Sequence, residues 1–451
     1  MTRAPRVHAR PEAERAASPS VSERWSNWAG EQICAPVSIE RPSSERELIA
    51  IVRRAAADGR PVRAVGSGHS FTDCACTDGV MIDTSRMQRI LEIDRDRSLA
   101  TVEGGMTLHQ LGPRLAEQGL ALENQGDIDT QSVAGAISTA THGTGAAFRN
   151  LAAQVVALRL VTATGEVLEL SRESDPEAYL AARVSVGALG VISALTVACV
   201  PLYTLHRHDV PQPLDETLAR LDEHVDTNDH FEFFVFPYCD TALTRRNRRS
   251  HEEPQPPPRW KRSLQEQLIE NNALSLICRT GRRFPRLTPR LNRFITAAVS
   301  ESSLEDRAYR VYASKRAVRF TEMEYAIPRA DARGAVERVL ELVERRRLPI
   351  LFPLEVRFSS PDDAHLSTAF GRDTCYVAVH QYKGMEFETY FRAVEQIMDS
   401  YGGRPHWGKR HYQTAAVLQD RYPAWDRFQA VRERLDPDRV FANDYTRRVL
   451  G

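Results

Sequence analysis

Apolar positions first settle into a helical rhythm just past residue 40. Leu48, Ile51, Val52, Ala55 and Ala56 recur at intervals of three and four. Ser44 and Glu47 stand in the S-x-x-E spacing of a capping box, and Gly59 follows where a helix would stop. The period then shortens. PVRAV, Pro61 to Val65, reads as a strand running into a turn of small residues, VGSGHSF. SLATVEGG alternates as a strand and ends on Gly104 and Gly105. A short helix is predicted from Thr107, with Gln110 at the reciprocal capping position and Gly119 as its stop. VVALRLVTATGEVLELS, Val155 to Ser171, reads as two strands about a Thr-Gly turn. VSVGALGVISALTVACVPL, Val184 to Leu202, reads as a glycine turn and a β-rich run.

After about Leu205 the strands lengthen: HFEFFVFPY, TEMEYAIPR, LPILFPLEVRF and TCYVAVHQY, with helices such as AVERVLELVERRR between them. RRNRRSHEEPQPPPRWKR, Arg245 to Arg262, is polar and Pro-rich and reads as a loop or a disordered segment. The pattern predicts an α+β nucleotide domain over 24–205 and a second α+β domain over 206–403, built on a mainly antiparallel sheet. Residues 404–451 form a C-terminal segment, and residues 1–23 a disordered tail.

Composition narrows the function. At 451 residues the chain is too long for one core. Lys plus Arg and Asp plus Glu both total 60, which argues against nucleic acid as the main partner. No apolar run approaches the length of a membrane span, and the first twenty residues hold no secretory h-region. A cytoplasmic protein is expected, with at most peripheral membrane contact through the Arg245–Arg262 loop. The seven cysteines are scattered and odd in number, as for reduced thiols. Cys74 and Cys76 have no second pair nearby, so no metal site is expected.

Gly66-Ser67-Gly68 opens like a dinucleotide fingerprint, but Phe71 replaces the third glycine and TDCACTDGV after it is turn-like. The glycines still let backbone approach a phosphate. SVAGAISTATHGTG, Ser132 to Gly145, reads as a second cradle, with Ser138, Thr139, Thr141 and Thr144 as candidate donors to phosphate. A bulky cofactor held by two such loops suggests FAD. Glu355 and Arg357 share one face of their strand, with Leu354, Val356 and Phe358 on the other. They form either a structural ion pair or an arginine held toward a bound molecule. His380 shares a face with Tyr376, Ala378 and Tyr382, and reads as a core or a pocket histidine. Lys409, after an aromatic pair and a glycine, reads as a snorkelling lysine or a desolvated one able to take a proton.

Taken together, VGSGHSF, TVEGG, QSVAGAISTATHGTG and VSVGALGVIS resemble the FAD domain of the vanillyl-alcohol-oxidase-type (PCMH) flavoproteins. WSNWAGEQICAPVSIERP, RPHWGKRH and FANDYTRRVLG resemble its sugar-1,4-lactone branch, most closely the actinobacterial L-gulono-1,4-lactone dehydrogenases. That branch also holds D-arabinono-1,4-lactone oxidases and, more distantly, alditol oxidases. The resemblance implies a two-domain fold with a cap domain, and FAD tethered covalently through His69. It places Gly66, Ser67, Gly68, Ser70, Gly126, Asp127, Ser132, Gly135, Ser138, Thr139, Thr141, His142, Gly143, Gly145, Gly190, Val191 and Ile192 around the cofactor. It places Glu355, Arg357, His380 and Lys409 around a lactone, with the C-terminal segment completing the site. The implied reaction is oxidation at C2, hydride passing to flavin N5 and the hydroxyl proton to Lys409 or His380. Arg357, oriented by Glu355, would stabilise developing charge, and the product would be ascorbate-like. Oxygen, a cytochrome or a quinone would then take the electrons. Gly126 matches a gate position where glycine leaves room for oxygen, whereas the nearest members of the branch are dehydrogenases. Asp127 departs from the serine of alditol oxidases and favours a lactone. The alternatives are an alditol oxidase and a flavin electron carrier without this activity.

Overall fold

The computed structural model describes residues 23–256, 274–314 and 318–451. Almost all of the expected N-terminal tail, and residues 257–262 of the Arg-rich segment, lie outside that range. The chain opens on a parallel three-stranded sheet of β1 (Ser38–Glu40), β2 (Val62–Val65) and β3 (Val80–Asp83), with β3 central. Helix α1 (Glu45–Ala57) packs on it, burying Leu48, Ile51, Val52 and Ala55 against Val62, Val80 and Ile82. The Ser44 side chain caps α1 by accepting from the Glu47 N–H, while the Glu47 carboxylate accepts from the Ser43 N–H at 2.8 Å. Half of the predicted capping box forms, displaced by one residue on its return leg.

A five-stranded antiparallel sheet follows, made of β4 (Ile90–Asp94), β5 (Leu99–Glu103), β6 (Val155–Val161), β7 (Val167–Ser171) and β8 (Val191–Ala198), in the order β7-β6-β8-β5-β4. Helix α2 (Leu108–Ala116) carries the full capping box between Thr107 and Gln110. Helix α3 (Val133–Ser138) lies within the stretch expected to be a loop, because Val133, Ala136 and Ile137 share one apolar stripe that the first core buries. Arg63 on β2 ties these pieces together. Its buried guanidinium donates to the carbonyls of Cys74, Val186, Gly187 and Phe441.

The second half is an eight-stranded antiparallel sheet: β9 (Thr204–Pro213), β10 (His230–Val235), β11 (Thr241–Ser250), β12 (Ser302–Arg307), β13 (Phe320–Pro328), β14 (Leu354–Ser359), β15 (Thr374–Tyr382) and β16 (Arg404–Pro405). Their order is β12-β9-β11-β10-β14-β15-β13-β16. A hairpin of α4 (Leu274–Arg283) and α5 (Thr288–Ala298) stands beside it, with Gly281 of α4 against Leu351. Helices α6 (Ala332–Arg346) and α7 (Glu388–Asp399) cover one face, packing Val336, Val339, Phe391 and Val394 on Phe233, Met323, Val356 and Val377. Period-two alternation then turns the charged residues of the same strands to the opposite face.

One expectation fails here. Arg245 to Ser250 belong to β11 and are not a loop, because the arginine run is paired across the strands. Arg245 stands opposite both Asp209 and Glu232 and bonds to them at 2.9 and 3.0 Å. Beyond β16 the chain returns to the first core, where Trp407, Trp425, Phe428, Tyr445 and Val449 pack with Leu111 and Leu158. Among the described residues no helix is long and apolar enough to cross a membrane.

Candidate active site

Strand β2 delivers the glycine turn into a cleft with about 910 Å³ of open space. Its first wall is Gly66, Ser67, Gly68, His69 and Ser70; its second is Ser132, Gly135, Ser138 and Thr139 on and around α3; its third is Gly187, Gly190, Val191 and Ile192. The walls meet through bare backbone. A Cβ on Gly66 would fall 1.9 Å from the Ser132 hydroxyl, and one on Gly190, at φ +153°, would fall 2.6 Å from the Val161 carbonyl. The N-terminal strand segment holds the turn in place. The Trp28 N–H donates to the Gly68 carbonyl at 2.8 Å, and Asn27 Nδ2 donates to the Ser70 carbonyl at 2.9 Å. The Trp28 ring stacks on His69 at 5.5 Å.

The residues expected around the cofactor divide. Gly126, Asp127 and Gly143 line a separate small pocket with Glu232 and Arg357. Thr141, His142 and Gly145 line neither space. His142 is instead clamped between the Gly143 carbonyl at 2.8 Å and Glu324 at 3.0 Å, its ring stacked on Tyr376. Among the hydroxyls read as phosphate donors, Thr139 donates to the Gly135 carbonyl and Thr144 to that of Phe231, while Thr141 accepts from Gln131. Of the four, Ser138 and Thr139 line the cleft.

A smaller cavity adjoins the cleft. His69, Ser70, Gln131 and Thr139 line both, so His69 stands at the junction. The cavity is closed by Trp28, Phe71, Phe320, Glu322, His406 and Lys409. Burial, aided by the Lys409 charge, holds the His69 imidazole down at about 4, and it is neutral at neutral pH.

Sheet register builds the charged layer beside this cavity. Glu232, Arg357, Glu355, His380, Glu322 and Glu324 all lie on the polar face. His380 is opposite Glu322, and Ala378 separates Glu355 from Glu324 in one row. Arg357 bonds to Glu355, to Glu232 at 2.7 Å and to Asp127 at 3.4 Å. Through Glu232 the row continues to Arg245 and Asp209. Burial opposes the Arg357 charge, but Glu355, Asp127 and Glu232 outweigh it and hold its pKa well above the ordinary arginine value. The expected Glu355–Arg357 pair is therefore part of a network of three carboxylates around one guanidinium.

Lys409 arrives from the C-terminal segment, whose His406 and Arg410 N–H groups donate to the Glu324 and Glu322 carbonyls at 3.0 and 2.9 Å. Its ammonium pairs with the Glu322 carboxylate. Burial lowers the Lys409 pKa, yet Glu322 and Glu324 overcome it and raise it above the ordinary value. The reading of Lys409 as a desolvated proton acceptor is thus corrected: its neighbours are carboxylates, not cations, and it is held as an ammonium. Burial pushes Glu322 up, but Lys409 and His380 hold it at about 2. His380 Nδ1 can only donate to the Pro353 carbonyl, 3.1 Å away. Its Nε2 therefore faces Glu322 at 3.5 Å and Glu355 at 4.0 Å.

Sequence reasoning missed Glu322, Glu324 and Glu232. The signal was present: TEMEYAIPR puts two carboxylates two apart in an apolar strand, and HFEFFVFPY puts one among aromatics. A carboxylate repeated on one face of a buried strand needs a cation opposite it.

Fold and cleft define a two-domain flavoprotein of the vanillyl-alcohol-oxidase type. The structure superposes on a solvent-stable cholesterol oxidase with a TM-score of 0.82, covering 94% of this chain and 97% of that one at 18% identity. It superposes on cholesterol oxidase from Brevibacterium sterolicum with a TM-score of 0.81, covering 98% and 100% at 17% identity; at such identities the likeness is one of fold. Residues 36–171 match the FAD binding domain family. Residues 195–449 match the D-arabinono-1,4-lactone oxidase family, and the chain belongs to it. It is 66% identical over 431 residues to the L-gulono-1,4-lactone dehydrogenase of Mycobacterium tuberculosis, covering 96% of this chain and 100% of the relative. It is 35% identical over 434 residues to the L-gulonolactone oxidase of Mus musculus, covering 95% and 98%.

Proposed function

We propose that this protein oxidises L-gulono-1,4-lactone, or a closely similar aldono-1,4-lactone, at C2 in the cavity between His69 and Lys409. The observation that carries the reading is the buried Lys409–Glu322 pair, which lines the cavity that His69, Ser70, Gln131 and Thr139 share with the glycine-walled cleft, with His380 3.5 Å from Glu322. The cleft fits FAD, since its three walls bring bare backbone close enough for a long, flat dinucleotide. When bound there, FAD supplies a two-electron hydride acceptor for the C2–H bond. The protein supplies position and charge. Lys409, fixed as an ammonium, donates to a substrate oxygen and stabilises negative charge that develops on it. Arg357, which lines the separate pocket with Gly126 and Asp127, holds Glu355 in place beside His380. The C2 hydroxyl proton leaves toward the Glu322–His380 pair, of which Glu322 lines the cavity and His380 Nε2 stands 3.5 Å behind it. Loss of hydride and proton leaves a 2-keto-lactone, which enolises to an ascorbate-type product.

His69 is the proposed covalent tether. A neutral imidazole has the free lone pair that nucleophilic attack on an activated flavin methyl requires. A dehydrogenase, passing electrons to a quinone or cytochrome rather than oxygen, is favoured over an oxidase. The name of the 66% identical relative supports this reading. An alditol oxidase is the second reading within enzymes. A flavin electron carrier would have no use for a buried ammonium–carboxylate–imidazole cluster at its cofactor cleft.

The deciding experiment is anaerobic mixing of the yellow protein with L-gulono-1,4-lactone. Bleaching of the flavin is the expected result, with slow recovery of colour when air is admitted. A yellow protein that D-xylitol bleaches and the lactone does not would overturn the substrate class.

A further inference from the structure

Ahead of the first sheet the chain makes a small hairpin. Its strands, Trp25–Ser26 and Ile33–Cys34, pair antiparallel with Cys34 opposite Trp25. Trp25 lines the cofactor cleft, and Asn27 and Trp28 of the same hairpin hold the glycine turn. The loop that follows the turn, Thr72 to Asp78, carries Cys74 and Cys76. Hairpin and loop are stitched together on both sides of Cys34. Gln32 Nε2 donates to the Phe71 carbonyl at 2.9 Å, and the Val37 N–H donates to the Gly79 carbonyl at 2.8 Å. This pairing sets the Cys34 and Cys76 thiols next to each other, close enough to interact directly.

The pair stands apart from the other cysteines. Cys74, Cys199, Cys278 and Cys375 are buried, and the Cys239 sulfur accepts from the Thr296 hydroxyl. Cys34 and Cys76 are both partly exposed, so a small oxidant reaches them. Their backbones are already held. Cys34 lies in its strand, while the Cys76 N–H donates to the Asp73 carbonyl at 2.9 Å and the Cys76 carbonyl accepts from Asn443 Nδ2 at 2.8 Å. Adjacent thiols on a held backbone are bridged by small side-chain movements, which is the geometric condition for a disulfide. Among the described residues no third ligand atom joins them, as a zinc site would require. Burial and the neighbouring Cys34 push the Cys76 thiol well above its ordinary value, so Cys76 keeps its proton and Cys34 reacts first.

We propose that Cys34 and Cys76 form a reversible oxidation site, joined into a disulfide by hydrogen peroxide, that clips the N-terminal hairpin onto the loop behind the His69 turn. The Cys34 sulfur attacks one peroxide oxygen and breaks the O–O bond. It becomes a sulfenic acid, and the other oxygen leaves as water with the thiol proton. The Cys76 sulfur then attacks the sulfenic sulfur, and the hydroxyl leaves as a second water with the Cys76 proton. Two thiols are oxidised by two electrons, one peroxide is reduced, and a thiol reductant reverses the bridge. The closed loop contains the whole glycine turn, so the bridge holds Trp25 and Trp28 against that turn and removes freedom from the unfolded chain.

The test uses the flavin-loaded full chain, reduced with dithiothreitol, freed of it, exposed to hydrogen peroxide and then alkylated. Two of the seven cysteines are expected to escape alkylation. Peptide mass spectrometry should find the Cys34 and Cys76 peptides joined, and fresh dithiothreitol should part them. The oxidised chain should melt about 4 °C above the reduced one. Cys34→Ser and Cys76→Ser should each lose the joined peptide and the rise in melting temperature, while flavin content stays at the wild-type level. In Cys76→Ser the sulfenic acid on Cys34 should persist and take a dimedone tag that the wild-type chain does not. Both thiols still open to alkylation after peroxide, or Cys34 joined to a cysteine other than Cys76, overturns the oxidation site. A joined pair with an unmoved melting temperature overturns the clip.

Discussion

Glu322 decides what Lys409 can do. A lone buried lysine would shed its proton, whereas one paired with a carboxylate keeps it. Glu322→Gln leaves the shape and removes the counter-charge, so the Lys409 pKa falls from its raised value. The expected outcome is an alkaline limb of the flavin-reduction profile moved to lower pH, with the rate at neutral pH down about 10- to 100-fold. An unmoved limb would mean that Lys409 takes no part as a charge. Arg357→Ala removes one cation from among three carboxylates. Because it strands buried charge, a loss of about 3–5 kcal/mol of stability is expected beside the loss of turnover, readable by denaturant titration. At His69 the test is covalent. Flavin should stay with the denatured wild-type chain on a gel and leave the His69→Ala chain, which is still yellow when native.

At the scale of elements, the cofactor cleft depends on where backbones touch. Gly66→Ala drives a Cβ into Ser132, the residue that caps α3 by accepting from the Gly135 N–H. Turn and helix must then part, and the purified variant is expected to lack most of its flavin absorbance. Gly59→Ala is the contrast. Its Cβ meets nothing, but φ is +62°, so about 1–2 kcal/mol of stability is lost while flavin content is unchanged. Much of this level was legible in sequence. Helical and strand periods located α1, α2 and the long strands, because one-sided burial writes its period into the chain. α3 was hidden by its glycine and hydroxyls, which read as loop chemistry. β11 was hidden because cross-strand carboxylates, distant in sequence, neutralise its arginines.

For the whole molecule, acid is the expected weakness. Burial holds His230 and His365 at about 4 and His406 at about 3. Each would titrate near 6.5 once unfolded. The unfolded chain thus binds protons that the folded one refuses, and stability present above about 6.5 is lost as pH falls toward 4. Carboxylates held at about 2, Asp209 and Glu322, extend the loss further down, between their ordinary values and about 2. Thermal melts should hold from pH 7.5 to about 6.5 and fall from there to 4, and a flat melting temperature between 6.5 and 4 would contradict the burial of these histidines.

The sequence alone determined the α+β class, the strand that presents His69, the shared face of Glu355 and Arg357, and the family pattern. Each depends on neighbours close in the chain or on motifs that a few residues carry. Only the tertiary structure decided that Lys409 meets Glu322 rather than a cation, that Arg357 answers three carboxylates, and that His142 and Thr144 serve the framework. Those outcomes hang on sheet register and on a C-terminal segment folded back along β13. Charge in a buried site is set by partners that only folding brings within a few ångströms.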